Sequence, residues 1–144
     1  PEIMLLKFKK LNKDAVIPQR AHEDDAGLDV YTVEEVKIPP RGDNLTGLGL
    51  ACEFPIGYAL MVCNKSGRAT KLKLDKGAEV IDAGYRGEIH VHLFNHSDKE
   101  VVIPKGEKIA QLILMKIWTG QAMEVDELEK SRRGEGGFGS SGVK

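Results

Sequence analysis

Cysteine is scarce in this chain: Cys52 and Cys63 are the only two. Two thiols build neither a disulfide framework nor a four-thiolate zinc site, and a reducing compartment is the expected setting. An excess of one charge sign is also missing. Lys and Arg number 21 against 22 Asp and Glu, a net charge of −1, which argues against a general electrostatic grip on nucleic acid. No apolar run approaches membrane-spanning length, and the first residues lack the apolar stretch of a secretory signal. The sequence opens on Pro1, as if an initiator Met had been removed, so a cytoplasmic protein is expected. There is no long amphipathic helical pattern, no internal repeat and no second compositional block. The 144 residues therefore suit one domain with its own core, and 41% hydrophobic with 30% charged residues suits a globular one.

What is present is a series of short apolar runs punctuated by Gly and Pro. Residues 3–11 and 26–31 read as strands on either side of a polar loop that carries Pro18. Residues 33–38 read as a strand stopped by Pro39 and Pro40, neither of which can donate to a ladder. Leu48, Leu50 and Cys52 alternate within a run at 45–54, and the near-continuous apolar run at 58–63 reads as a buried strand. Residues 101–103 form a short strand, and residues 108–118 the longest apolar one. Many short strands between Gly and Pro turns indicate an all-β sandwich or barrel with at most one short helix.

Residues 76–95, KGAEVIDAGYRGEIHVHLFN, carry the most chemistry. Ile89, Val91 and Leu93 alternate with His90, His92 and Phe94, a strand with one apolar face. Asp82 precedes a turn at Ala83 and Gly84 and is expected at a hairpin mouth with strands on both sides. Taken alone, Asp82 reads as a turn cap and Tyr85 as a core aromatic. Residues 134–144 are rich in Gly and Ser and cannot pack by themselves. Such a tail is ordinarily disordered, yet Arg133 and Phe138 equip it to close over a ligand, one as a phosphate clamp and one as an aromatic lid. The domain is expected at 1–130 and a flexible lid at 131–144.

Five polar turns fall in a fixed order: AGLD at 26–29, KSG at 65–67, EVIDAGY at 79–85, KIAQLIL at 108–114 and RGEGGFGSSG at 133–142. Together they resemble the five motifs of the trimeric dUTPases, over nearly the whole chain. The resemblance implies a distorted jelly-roll or β-clip barrel that hydrolyses dUTP to dUMP and pyrophosphate. That reaction limits uracil incorporation into DNA and supplies dUMP for thymidylate synthesis. By the resemblance, Asp82 is the general base on a water that attacks the α-phosphorus. Lys65, Ser66, Gly67, Gln111 and Arg133 hold the phosphates. The hairpin that includes Gly77, Ala78 and Val80 reads uracil through main-chain groups, Tyr85 packs on the deoxyribose, and Phe138 with Gly139 covers the base. Mg²⁺ is the implied cofactor, bound to triphosphate oxygens and supported by Asp29 through water. The implied assembly is a homotrimer with active sites shared between subunits, each closed by another copy's tail.

The physical chemistry of these residues agrees. KSG offers backbone N–H groups, a hydroxyl and a cation in one turn, which is what a phosphate cradle requires. A main-chain pocket leaves cytosine's donors and acceptors unpaired, and a tight hairpin leaves no space for the methyl of thymine. Several positions depart from the family pattern. Lys65 stands where Arg is usual and loses the bidentate fork, Arg68 and Glu79 replace an apolar residue and a Gly, and Gly84 replaces an Asp. IDAGY also resembles the related dCTP deaminases, whose acid/base Glu would align with His92, so a deaminase or bifunctional enzyme is the nearer alternative. Gly84 with His90, His92 and His96 partly copies the metal-binding cupin pattern. A non-catalytic regulatory binding protein is the third alternative.

Overall fold

Alternating apolar residues cut at short intervals by Gly and Pro fold into strands. In a computed structural model that describes residues 5–65, 73–77, 80–139 and 142, the described residues form eleven strands and no helix. They are β1 (Lys7–Lys10), β2 (Leu28–Tyr31), β3 (Val36–Ile38), β4 (Asp43–Gly47), β5 (Leu50–Glu53), β6 (Tyr58–Cys63), β7 (Leu74–Lys76), β8 (Val80–Asp82), β9 (His90–Asn95), β10 (Val101–Ile103) and β11 (Lys108–Lys116). A four-stranded sheet runs β2-β11-β6-β8 and a three-stranded sheet β4-β9-β7, with two-stranded pairs β1-β5 and β10-β3. All pairings are antiparallel. The all-β architecture agrees with the sequence pattern, and the sheets wrap one core without closing a ring of paired strands among the described residues.

That core is built from the inward side of each alternation. Ile38, Leu50, Leu60, Val91, Leu93, Ile103, Ile109 and Leu112 are almost completely buried, each removal from water contributing roughly 1.5–3 kcal/mol. In β9 the buried residues are Val91, Leu93 and Asn95, while His90 is exposed and His92 and Phe94 are half-buried. Asn95 is the polar member of the buried set, and its amide donates to the carbonyls of Ile38, Pro39 and Lys99. Among the described residues no buried side-chain polar atom lacks a partner, as expected of groups taken out of water.

Three elements depart from the sequence expectation. The single strand expected at 45–54 is two strands in different sheets, because Gly49 takes φ +68° at the joint and its N–H donates 2.9 Å to the Glu88 carboxylate. The last strand ends at Lys116, and residues 117–139 carry neither strand nor helix. Finally, β7 and β8 do not pair with each other: β7 pairs with β9 and β8 with β6. Asp82 is therefore held by a strand on one side only, at the end of the edge strand of its sheet.

Candidate active site

Three of the candidates, Asp29, Lys65 and Gln111, come together where β2 and β11 pair. Asp29 pairs directly with Gln111 across the two strands, and its backbone makes a two-way bridge with Gln19. Its side chain is 4% exposed and both oxygens are engaged. Lys65 Nζ donates to Oδ1 at 2.6 Å, and Lys108 Nζ lies 3.2 Å from Oδ2. Burial alone would push this carboxyl up, but the two ammonium groups outweigh burial and hold it below the usual carboxylate range. An ammonium has three N–H donors, and Lys65 commits one to Asp29. Asp29 thus aims a partly exposed cation at the cleft.

Gln111 is fixed on the neighbouring side. Its amide nitrogen donates 2.9 Å to the Asn64 carbonyl. Its Oε1 occupies the space a side chain at Gly27 would need, 2.1 Å from an ideal Cβ there. Asp25, Ala26, Gly27, Asp29, Asn64, Lys65, Gln111 and Ile113 line a cleft of ≈590 Å³, a volume in the range of small-molecule sites. Lys108 was not legible as a site residue. In a regular strand residues 108 and 111 face opposite ways, but the β11–β2 register slips between Lys108 and Ala110. That bulge turns Lys108 to the Asp29 side.

Asp82 lies elsewhere on the chain. It is exposed and pairs with Ala59 at the start of β6, whereas Gln111 pairs with Cys63 at its end. Four strand steps separate the two, about 13 Å along β6, with β6 itself between them across the sheet. One chain therefore does not bring Asp82 to the Lys65–Gln111 cluster. After Asp82 the chain turns, Tyr85 N–H donating 3.1 Å to the Asp82 carbonyl. Tyr85 is not in the core: its ring folds over Gly87 and its hydroxyl donates 2.7 Å to the Glu88 carbonyl. Val80 is exposed on β8, and Gly77 N–H donates 2.7 Å to the His92 carbonyl.

In the tail, Arg133 Nε donates to the Gly136 carbonyl at 2.5 Å, and Phe138 is fully exposed with φ +49° beside Gly139 at φ +98°. Ser66, Gly67 and Ala78 lie outside the described residues, as do Arg68 and Glu79. His90 turns to Glu88 and His92 to Asp43, so the two do not share a ligand position.

A buried carboxylate that orients a lysine beside a neutral amide makes an anion cleft, and Asp82 is not among the described residues that line it. Residues 13–142 match the family model for dUTPase. The chain belongs to the dUTPase family. It is 45% identical to the deoxyuridine 5'-triphosphate nucleotidohydrolase of Oryza sativa subsp. japonica, with 96% of this chain and 81% of the relative covered. It is 45% identical to the enzyme of the same name from Clostridioides difficile, covering 95% and 97%. Among solved structures, the dUTPase of Staphylococcus bacteriophage 80alpha with dUPNHPP superimposes with a TM-score of 0.90 at 33% identity, covering 96% of this chain and 99% of that one. A D95N variant of the dUTPase from Staphylococcus aureus phage phi11, described with a structural Mg(II) ion, superimposes at 0.81 with 26% identity, covering 88% and 99%. In this dUTPase no helix among the described residues is long and apolar enough to cross a membrane.

The donor set of this dUTPase speaks to a metal. Among the described residues no three His, Cys, Asp or Glu side chains converge on a point. Asp29, with an ammonium on each oxygen, does not fit as a direct ligand. Each of its oxygens keeps a second lone pair, from which any water-mediated contact to a metal would have to be made. Mg²⁺ that arrives on a triphosphate and keeps most of its water is compatible with that set.

Proposed function

We propose that the chain hydrolyses dUTP to dUMP and pyrophosphate in the cytoplasm as a homotrimer, each active site formed by more than one copy. The observation that carries this reading is the separation, within one chain, of the anion cleft at Asp29, Lys65 and Gln111 from Asp82. Each copy holds two halves that cannot meet, so Asp82 of one copy serves the cleft of another. The exposed apolar side chains beyond the last strand, Trp118, Met123 and Leu128 among them, support the same assembly, since large exposed apolar surface seeks a partner.

In this site Asp82 takes a proton from water as its oxygen bonds to the α-phosphorus, and the bond from that phosphorus to the bridging oxygen breaks. Pyrophosphate leaves with the electron pair. Lys65, Ser66, Gly67, Gln111 and Arg133 hold the charge that develops. Mg²⁺, when bound on the triphosphate, would neutralise part of its charge, with Asp29 supporting it through water. Gly77, Ala78 and Val80 present main-chain groups to uracil, Tyr85 excludes a ribose 2′-hydroxyl, and residues 131–144 bring Phe138 and Gly139 over the base. A consequence is a lower dUTP pool and a supply of dUMP.

Turnover of dUTP by the unmodified protein and by Asp82→Asn tests the assignment. Asp82→Asn is expected to lose at least about 10²-fold in kcat, the scale of a general base. A variant that retains full turnover would show that another group takes the proton.

A further inference from the structure

His92 stands on the outer face of β9, where an alternating strand ordinarily leaves a side chain to solvent. It is instead braced on three sides. Its Nε2 lies 2.7 Å from Asp43 Oδ2 on β4. An ionised carboxylate only accepts, so Nε2 carries the hydrogen and Nδ1 is turned the other way. On that side Nδ1 sits 2.5 Å from where a Cβ on Gly77 would be, with Phe94 Cε2 at 2.9 Å from the same point. The His92 and Phe94 rings pack with centroids 4.4 Å apart at 42°. The main chain closes the contact, Gly77 N–H donating 2.7 Å to the His92 carbonyl. The absence of a side chain at Gly77 and the imidazole at 92 are therefore one fitted pair. The ring is thus packed directly against the Gly77 main chain, just past the end of β7.

We propose that His92, braced by Asp43, is a positioning residue for pyrimidine recognition: its imidazole fills the space beneath Gly77 and fixes the Gly77 main chain, against which the base docks. The inference rests on the dUTPase reading of Gly77 above, and it adds two residues, His92 and Asp43, that touch neither phosphate nor the attacking water. A platform set by packing loses affinity for the base end of the nucleotide when the packing is removed, while the anion cleft at Lys65 and Gln111 is untouched.

The test compares the full-length protein with His92→Ala and His92→Gln, the latter keeping an amide N–H that reaches Asp43. Steady-state kinetics with dUTP, the Kd of dUMP, the Kd of inorganic triphosphate and the thermal midpoint are measured for each. His92→Ala is expected to raise KM for dUTP and Kd for dUMP about tenfold with kcat within about twofold, leaving triphosphate affinity unchanged. His92→Gln is expected to recover to within about threefold of the unmodified protein. Unchanged dUMP affinity in His92→Ala, or equal loss for dUMP and triphosphate, would overturn the role of His92. Absence of dUTP turnover and dUMP binding in the unmodified protein would overturn the functional reading itself, a separate result.

Discussion

Asp29 is buried with two lysines on it, and its ionisation is part of the fold. Burial raises its carboxyl, but the Lys65 and Lys108 ammonium groups hold it below the usual carboxylate range in the folded protein. A depressed folded value means that the unfolded chain binds the proton more readily. The stabilisation is then present above the unfolded pKa and lost as pH falls through the folded one. Asp29→Asn is expected to cost about 1–3 kcal/mol at neutral pH, the buried-pair figure discounted because the lysines are partly exposed. It should also flatten the dependence of stability on pH below about pH 4. Urea unfolding at intervals from neutral to acid pH reads both effects. A variant with the same acid sensitivity as the unmodified protein would assign that sensitivity to other carboxylates. Asp82 is exposed at the end of an edge strand and shows no ion pair of this kind among the described residues, which is what allows its substitution to be read as chemistry.

Among the elements, β2 and β11 set the cleft with the help of a missing side chain, at Gly27 just before β2. Gly27 leaves room for the Gln111 amide, and a Cβ there would meet Oε1 at 2.1 Å and Cδ at 2.9 Å. The obstructing atoms are the far end of a flexible side chain, so Gly27→Ala is expected to displace the amide rather than unfold the sheet. KM for dUTP should rise about five- to tenfold with the thermal midpoint nearly unchanged. An unaltered KM would remove Gln111 from the phosphate contacts. The strands that could be read from sequence were those bounded by Pro or Gly and confined to one sheet. The runs at 58–63 and 101–103 coincide with β6 and β10. The break at Gly49 was hidden because Leu48, Leu50 and Cys52 keep their alternation across it. The pairing of β8 with β6 was hidden because partner choice between distant strands leaves no local pattern. Lys108 was hidden by a bulge, which changes side-chain parity without changing composition.

For the whole molecule, the sequence motifs named the candidate residues, and the proposed trimer draws them from more than one copy. The tail adds to that distribution. Residues 131–139 are exposed or half-buried, and their hydrogen bonds, such as Arg133 to Gly136, stay within the segment. Truncation after Lys130 removes no part of the core. It is expected to lower kcat for dUTP by about 10-fold or more while leaving the unfolding transition in place. Loss of the transition would make the segment structural.

The proposed sharing of each site between copies is open to one direct measurement. Asp82→Asn and a Lys65→Ala/Gln111→Ala double variant are each expected to be nearly inactive as homotrimers. Co-expressed and purified together, they form mixed trimers in which an intact Asp82 from one copy meets an intact Lys65 and Gln111 from another. For random mixing of equal amounts, about a quarter of the sites should be whole and turnover of dUTP should recover to about that fraction. Mixed trimers no more active than either parent would mean that a single chain completes its own site, contrary to the separation of Asp82 from the anion cleft.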